Sequence, residues 1–405
     1  MRLKKKNIMT KFNEKTYGNI CIIGKELTNK NAALKFIMQN MNQADQSFIV
    51  IDEDRKILNK SKEKLKSKKY EIKIVDFYHP DQSDHWNPII SFQDNLGPER
   101  LATYIMNEQN YAEQDRFFFE SEKTLLMFLF CYLEEKYSKS EQNFLMLMKL
   151  LSQFVADSSA LHKIYENFKE EKSTLRCAEI LNAFYKMASK DTEKTIMTSL
   201  IIRLIPLVHK SIVSLMEYDN LQLDKINERK TAVFLEFSGN DNLYDQYISI
   251  LLLQVLGCIA PCFYIDKNKK NTIPVQMIFS ASIIKDHEKI LTREIFSYFN
   301  VMNCYKVYCM CFADSVRGVK EIFEMSDTYI TFEWYFNTYI FCGCELLKRD
   351  IRENHDLYKK LFCRYGIKSE SGKEELLKLE SLPEGRYAVL VNDYELIIDD
   401  FFQEN

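Results

Sequence analysis

Along the first hundred residues, short apolar runs alternate with longer amphipathic stretches. Ile20–Ile23, Phe48–Asp52 and Ile72–Asp76 have strand length, and each ends near a polar or acidic residue. Asn31–Met41 and Lys56–Lys69 lie between them and carry apolar residues at helical spacing. Such alternation predicts βαβ units and a parallel sheet, because a parallel connection must bring the chain back along the length of the strand.

From Pro98 to about Asn227 the period changes. Phe117–Tyr137, Glu141–Phe154, Ser159–Phe168, Thr174–Ser189 and Glu193–Met216 all follow the helical repeat. No glycine lies between Gly97 and Gly239, and proline occurs in this block only at 98 and 206. The strand texture then returns at Thr231–Phe237, Val275–Ser280, Lys306–Phe312 and Thr328–Phe332, separated by helical stretches at Asp245–Ile259 and His287–Asn300. Thr338–Cys344 is a second strand-like run that competes with Thr328–Phe332. The pattern predicts one α/β domain, built from 1–96 and 230–405, interrupted by an all-α domain over 97–229. On that reading the central sheet draws on 18–96 and 230–335, with Ile20–Ile23 beside Val275–Phe279.

Composition narrows the picture. The chain has 405 residues, 46% hydrophobic and 28% charged, the balance of an ordinary globular protein. With 10 Gly and 7 Pro it is poor in turn formers, which argues against propellers, and 28 Phe with 23 Tyr predict an aromatic core. A net charge of −3 makes no overall case for a nucleic-acid partner. Lys60–Lys69 carries six lysines and reads as a solvated helix face before a phosphate-tracking patch; Lys4–Lys6 adds a second short basic run. The 11 cysteines follow no disulfide framework and imply free thiols in a reducing interior. The C-x-C pairs Cys309/Cys311 and Cys342/Cys344 read as buried thiols, since C-x-x-C spacing and partner histidines are missing. No apolar window reaches the length of a membrane span, Leu125–Leu133 being the longest. A cytoplasmic chain is expected, recruited at most to the inner face of a membrane.

The candidate chemistry begins at Gly24. The stretch GKELTNKN, Gly24–Asn31, nearly matches the phosphate-binding loop G-x-x-x-x-G-K-[ST], with Gly24 and Lys30 in place but Asn29 for the second Gly and Asn31 for the Ser/Thr. Asn tolerates the left-handed backbone that the glycine supplies, but its amide cannot replace the hydroxyl that ligates magnesium. Taken alone, the stretch is also a plain strand–turn–helix with Thr28 or Asn29 as N-cap.

The order of these pieces resembles the TraG/TraD-type conjugative coupling proteins, RecA-like ATPases of type IV secretion. The phrase Asp76-Phe-Tyr-His-Pro-Asp-Gln-Ser83-Asp84-His-Trp86-Asn87-Pro88 is similar to that family's D-x-x-x-S-D-x-W-N-P. Asp52 ends a strand as in the family, with Glu53-Asp54-Arg55 standing for its D-P-K-G-E-like turn. Phe117–Leu126 resembles its aromatic-acidic helix entry, Arg203-Leu-Ile-Pro206 a further helical segment, and Lys230–Phe237 and Pro274–Phe279 two of its strands.

The resemblance implies an α/β, RecA-like P-loop fold with a mostly parallel sheet interrupted by an all-α insertion. It also places nucleotide-site positions at Gly24, Asn29, Lys30, Asn31, Asp52, Ser280 and Ala281. Ser83, Asp84, Trp86, Asn87 and Pro88 become a structural motif. The departures are specific: Ser280 and Ala281 stand where the two Walker B acids belong, and the family's Gln falls near Cys311. The family's membrane-spanning N-terminal helices have no counterpart. The expectation is a catalytically degenerate relative with no catalytic residues, no metal site and no cofactor beyond weak, magnesium-independent ATP binding. Its expected partners are secretion or conjugation proteins, including an active coupling ATPase paralogue, with DNA a weak partner. The alternatives are a divergent active DNA-translocating ATPase and a nucleic-acid-binding module. His79, Asp81, Asp84 and His85 cluster like metal ligands but read as a turn; Asp286-His287-Glu288 reads as a helix start and Asp399-Asp400 as solvated.

Overall fold

A computed structural model of the chain describes residues 18–25, 31, 34, 37, 46–52, 55–91, 97–106, 116–226, 228–236, 244–260, 273–282, 298, 302–325, 331–367, 369–384, 386–391 and 396–399. Its strands are β1 Ile20–Ile23, β2 Ser47–Ile51, β3 Glu71–Asp76, β4 Thr231–Glu236, β5 Val275–Ser280, β6 Val307–Ala313, β7 Thr338–Cys342, β8 Tyr387–Val391 and β9 Ile397–Asp399. They form one nine-stranded sheet in the order β3-β4-β2-β5-β6-β1-β7-β8-β9. The pairs β2–β4, β2–β5, β5–β6, β1–β6 and β1–β7 are parallel, and the β7–β8 and β8–β9 pairs are antiparallel. Strands β1, β2, β4, β5 and β7 are buried along their whole length. That is why they read as continuous apolar runs, as strands covered on both faces do.

Four expectations are corrected. Ile20–Ile23 does not lie beside Val275–Phe279, because β6 pairs with both: Ile22 is opposite Phe312, and Phe312 is opposite Ser280. Of the run Thr328–Phe332, residues 328–330 lie outside the described residues and Phe332 starts a short helix, Phe332–Tyr335, while Thr338–Cys342 is a strand of the sheet. The sheet also extends past residue 335 through β8 and β9. The helix expected over Glu193–Met216 stops at Leu204 and gives way to a 3-10 turn over Ile205–Val208, since Pro206 has no N–H to continue it. His287–Asn300 falls outside the described residues except for Tyr298, and Asp286–Glu288 and Asp400 fall outside them altogether. Asp399 pairs with Tyr387 at the sheet margin.

The helices are α1 Lys56–Ser67, α2 Gly97–Ile105, α3 Arg116–Lys136, α4 Phe144–Ala156, α5 Ser158–Glu170, α6 Arg176–Met187, α7 Lys190–Leu204, α8 Asp245–Ile259, α9 Val316–Met325, α10 Glu345–Glu353, α11 His355–Arg364 and α12 Ser369–Glu380. The chain forms two compact units. One holds the described residues of 1–74, 225–245 and 259–405, and the other those of 75–224 and 246–258. These bounds assign 75–96 and most of α8 to the helical unit, unlike the breaks at 96 and 229 read from the sequence.

In the sheet unit, Phe48, Val50, Phe234, Ile278, Met310 and Phe312 build one face of the core with Ile57, Leu58 and Leu65 of α1. In the helical unit the helix ends are tied by side chains. Glu135 of α3 accepts from the Arg176 and Cys177 amides that open α6, at 3.0 and 3.3 Å, and Arg176 pairs with Glu99 of α2. Asn143 caps α4 through the Met146 amide, and Ser189 with Thr192 forms a capping box on α7. The fully buried Glu122 of α3 holds Arg203 of α7 at 3.0 Å. Among the described residues no single helix is long and apolar enough to cross a membrane.

Candidate functional site

Parallel strands bring their C-terminal ends to one edge of a sheet, where α/β folds bind ligands. The described residues at that edge are Gly24 and Lys25 after β1, Asp52 after β2, Glu236 on β4, Ser280 and Ala281 at the end of β5, and Ala313 on β6. Gly24 donates its N–H to the Ala313 carbonyl at 2.9 Å, which carries the β1–β6 ladder to the start of the loop. Asn29 and Lys30 lie outside the described residues. Asn31 is helical, and its side-chain oxygen accepts from the Lys60 ammonium at 3.4 Å.

At the end of β5, the Ser280 hydroxyl lies 2.7 Å from that of Ser282 and also accepts the Ser282 amide at 3.3 Å. Ala281 is buried and offers a methyl group. Magnesium takes oxygen ligands that normally include a carboxylate. The amide of Asn31, the engaged hydroxyl of Ser280 and the methyl of Ala281 do not make up that donor set. Cys311, where the family's Gln is expected, is a buried thiol facing Cys21 across the ladder. Its own burial raises its pKa.

The edge does carry two buried carboxylates, on neighbouring strands. Ile51 is opposite Leu235 and Val50 is opposite Ile278, so Asp52, Glu236 and Ser280 sit at one level on one face. Asp52 Oδ2 accepts the Leu58 amide at 2.9 Å and so closes the first turn of α1. Arg55, where the resemblance places a glycine, adopts a left-handed φ of 55°, and its Nε lies 3.9 Å from Glu236. At about 4.8 Å per strand, position 280 is two strands (~10 Å) from the β1 loop, whereas Asp52 is three (~14 Å) and Glu236 four (~19 Å). An aspartate on β2 does not make up the extra strand spacing. Asp52 is placed to build its turn.

The phrase between Asp76 and Pro88 is a second constellation, inside the helical unit. Asp76 Oδ1 accepts the Tyr78 and His79 amides at 2.8 and 2.9 Å, and Oδ2 lies 3.0 Å from His79 Nδ1. Ser83 Oγ accepts the Asp76 amide and donates to the Asp84 carbonyl. Trp86 is buried and donates Nε1 to Gln254 Oε1 at 2.6 Å, while Gln254 Nε2 donates to the Pro88 carbonyl at 2.7 Å. Asn87 donates to the Gln142 carbonyl at 2.8 Å and accepts the Ile89 amide at 3.0 Å. These bonds use the side chains of Asp76, Ser83, Trp86 and Asn87 to fix the chain. Among the described residues, no group of three or more His, Cys, Asp or Glu is placed to hold a metal. Sequence reasoning missed Gln254. Its signal was a single amide in the apolar run Ile250-Leu-Leu-Leu-Gln-Val-Leu256.

The expected thiol burial is met: Cys309, Cys311, Cys342 and Cys344 are buried and free. Cys344 lies past β7, where its Sγ accepts the Leu347 amide at the start of α10.

The family described as Type IV secretory system Conjugative DNA transfer matches residues 30–279, more than half of the chain. The chain belongs to that family. A comparison with curated proteins finds no match. Among solved structures, the chain is similar to the bacterial conjugative coupling protein TrwB in its unbound monoclinic form. That likeness has 12% identity and a TM-score of 0.55, over 94% of this chain and 84% of that one. It is also similar to plasmid coupling protein TrwB in complex with ADP and Mg2+, at 10% identity and a TM-score of 0.55 over the same shares. At such identities the likeness speaks for the fold, and this type IV secretion family member has the RecA-like P-loop fold expected of it.

Proposed function

We propose that this conjugative DNA-transfer family member is a catalytically degenerate coupling-protein relative that works as a binding or adaptor component in DNA transfer or secretion. The observation that carries the reading is the end of β5. Ser280 is tied to Ser282 and Ala281 is buried, so neither position brings the charge that phosphoryl transfer draws on. Asn31 removes the loop hydroxyl as well. TrwB has been solved with ADP and Mg2+; this chain would bind ATP weakly and without magnesium, through Lys30 and the loop amides. Its partners would be secretion or conjugation proteins, an active coupling ATPase paralogue among them, with the helical unit as the docking body. It would act on the cytoplasmic side, with DNA a weak partner.

A second reading has one observation in its favour. Asp52 and Glu236 put two carboxylates on the edge that Ser280 leaves neutral, which a divergent active ATPase would need. Their distance from the β1 loop weighs against it. Phosphate release by the wild-type chain is to be compared with that of Lys30→Ala, alongside binding of a fluorescent ATP analogue with and without Mg2+. The expected result is background turnover for both proteins, and binding that does not respond to magnesium. Magnesium-dependent turnover abolished by Lys30→Ala would overturn the adaptor reading.

A further inference from the structure

Helix α1 is the most strongly charged face among the described residues. With the turn that follows it, the stretch from Lys56 to Lys69 carries seven lysines, five of them in the helix, and one acid, Glu63, whose carboxylate lies 3.6 Å from Lys66. Lys56, Lys60, Lys66, Lys68 and Lys69 are exposed. Ile57, Leu58 and Leu65 on the opposite side are sealed into the sheet unit, so the apolar stripe is used internally and only the cationic face meets solvent. Past the helix, Lys230 Nζ lies 6.0 Å from the Tyr70 ring centroid. The whole chain is at −3, so a stretch at 7 − 1 = +6 reflects placement, not composition.

We propose that α1 is an electrostatic docking face for an anionic lipid bilayer surface. The chemistry of the face selects that occupant. Every cation on the helix is lysine, a point charge on a flexible stem, with none of the planar forks that arginine offers to phosphates and base edges. The only ring in the segment, Tyr70, is buried, so no aromatic platform is available for unstacked bases. Clusters of four to eight lysines on a helix suit the diffuse field of an acidic membrane, each contributing about a fivefold gain in partitioning near the surface. With its apolar stripe already buried, α1 would lie on the headgroups without inserting, and its binding would weaken steeply with salt.

The test is sedimentation of the full chain with vesicles of phosphatidylcholine alone and with an increasing share of phosphatidylglycerol, at low and physiological salt. The variant Lys60→Gln/Lys66→Gln/Lys68→Gln/Lys69→Gln removes charge from α1 and the turn that follows it. Lys163→Gln/Lys169→Gln/Lys172→Gln/Lys186→Gln removes the same charge from α5, α6 and the turn between them. Circular dichroism melts are expected to show both variants folded. Wild type should bind only phosphatidylglycerol vesicles, the α1 variant should bind at least ~50-fold more weakly, and the control should change by less than ~3-fold. The proposal is overturned by absence of vesicle binding at low salt or by equal losses in the two variants. It is also overturned if a DNA duplex binds through the α1 lysines while the vesicles do not.

Discussion

The indole of Trp86 donates to the side-chain oxygen of Gln254 at 2.6 Å, joining residues 168 positions apart. Both are buried, and Gln254 passes its own N–H on to the Pro88 carbonyl. Removing either partner leaves a buried polar group without its bond, at a cost of about 1–3 kcal/mol each by urea unfolding of Trp86→Phe and Gln254→Leu. In the double variant neither the indole N–H nor the Gln254 oxygen is left unpaired, and only the Pro88 carbonyl lacks its donor, as in Gln254→Leu alone, so the loss should fall short of the sum by at least about 1 kcal/mol. Strict additivity would mean that the bond does not hold this corner.

Asp52 closes the first turn of α1 through the Leu58 amide. Asp52→Ala should therefore cost about 1–2 kcal/mol of stability, as loss of a helix-end acceptor does. The affinity for an ATP analogue, with or without Mg2+, should stay as in the wild type. A magnesium-dependent loss of affinity in a variant that remains folded would assign Asp52 to a metal site instead.

Two helices end on a left-handed lysine. Lys69 has φ 62° beside the Tyr70-to-Leu65 bond of 3.1 Å, and Lys172 has φ 48° beside the Ser173-to-Phe168 bond of 2.9 Å. Glycine is the residue this motif favours, so Lys69→Gly and Lys172→Gly should each stabilise by about 0.5–1 kcal/mol. Gly343 is the opposite case, because a Cβ there would run into the Pro383 carbonyl. Gly343→Ala should cost about 1–3 kcal/mol, read from the same melts.

Burial raises the Cys309 thiol from 9.0 to about 12, while the Tyr335 hydroxyl pulls the other way. Burial also pushes up Cys21, Cys311 and Cys342. The folded state keeps these thiols neutral, whereas the unfolded chain ionises them near their ordinary value. Their contribution is therefore fully present below pH about 9 and is lost as pH rises towards about 12, at up to ~1.4 kcal/mol per pH unit for each thiol. Denaturant midpoints should fall steeply over that window, and Cys309→Ala should flatten the fall. A midpoint independent of pH through the window would contradict the burial of these groups.

Much of this protein was written in local pattern. The alternation of Ile20–Ile23, Phe48–Asp52 and their helices announced βαβ units, and the helical repeat marked out the all-α block. Periodicity is a property of neighbouring residues and survives without a fold. The candidate positions Asn31, Ser280 and Ala281 could be picked out for the same reason, since each is found by its place in a short motif. Strand order was not. Nothing local in Val307–Ala313 says that it inserts between β1 and β5, because pairing is a contact between distant segments, settled by how the connections pack. The runs at Thr328–Phe332 and Thr338–Cys344 are similarly apolar and aromatic, and only tertiary structure shows that Thr338–Cys342 pairs in the sheet while Phe332 opens a helix. The Asn19 carbonyl accepts the Asn337 and Thr338 amides at 2.8 and 3.3 Å, and Asn337 Oδ1 accepts the Asn19 amide at 2.8 Å. Those bonds start β7 beside β1 and leave Phe332–Tyr335 to coil into a helix. Gln254 was likewise one polar letter in an apolar run until the fold set Trp86 against it, because a buried hydrogen bond belongs to a pair of residues and only the fold brings the pair together.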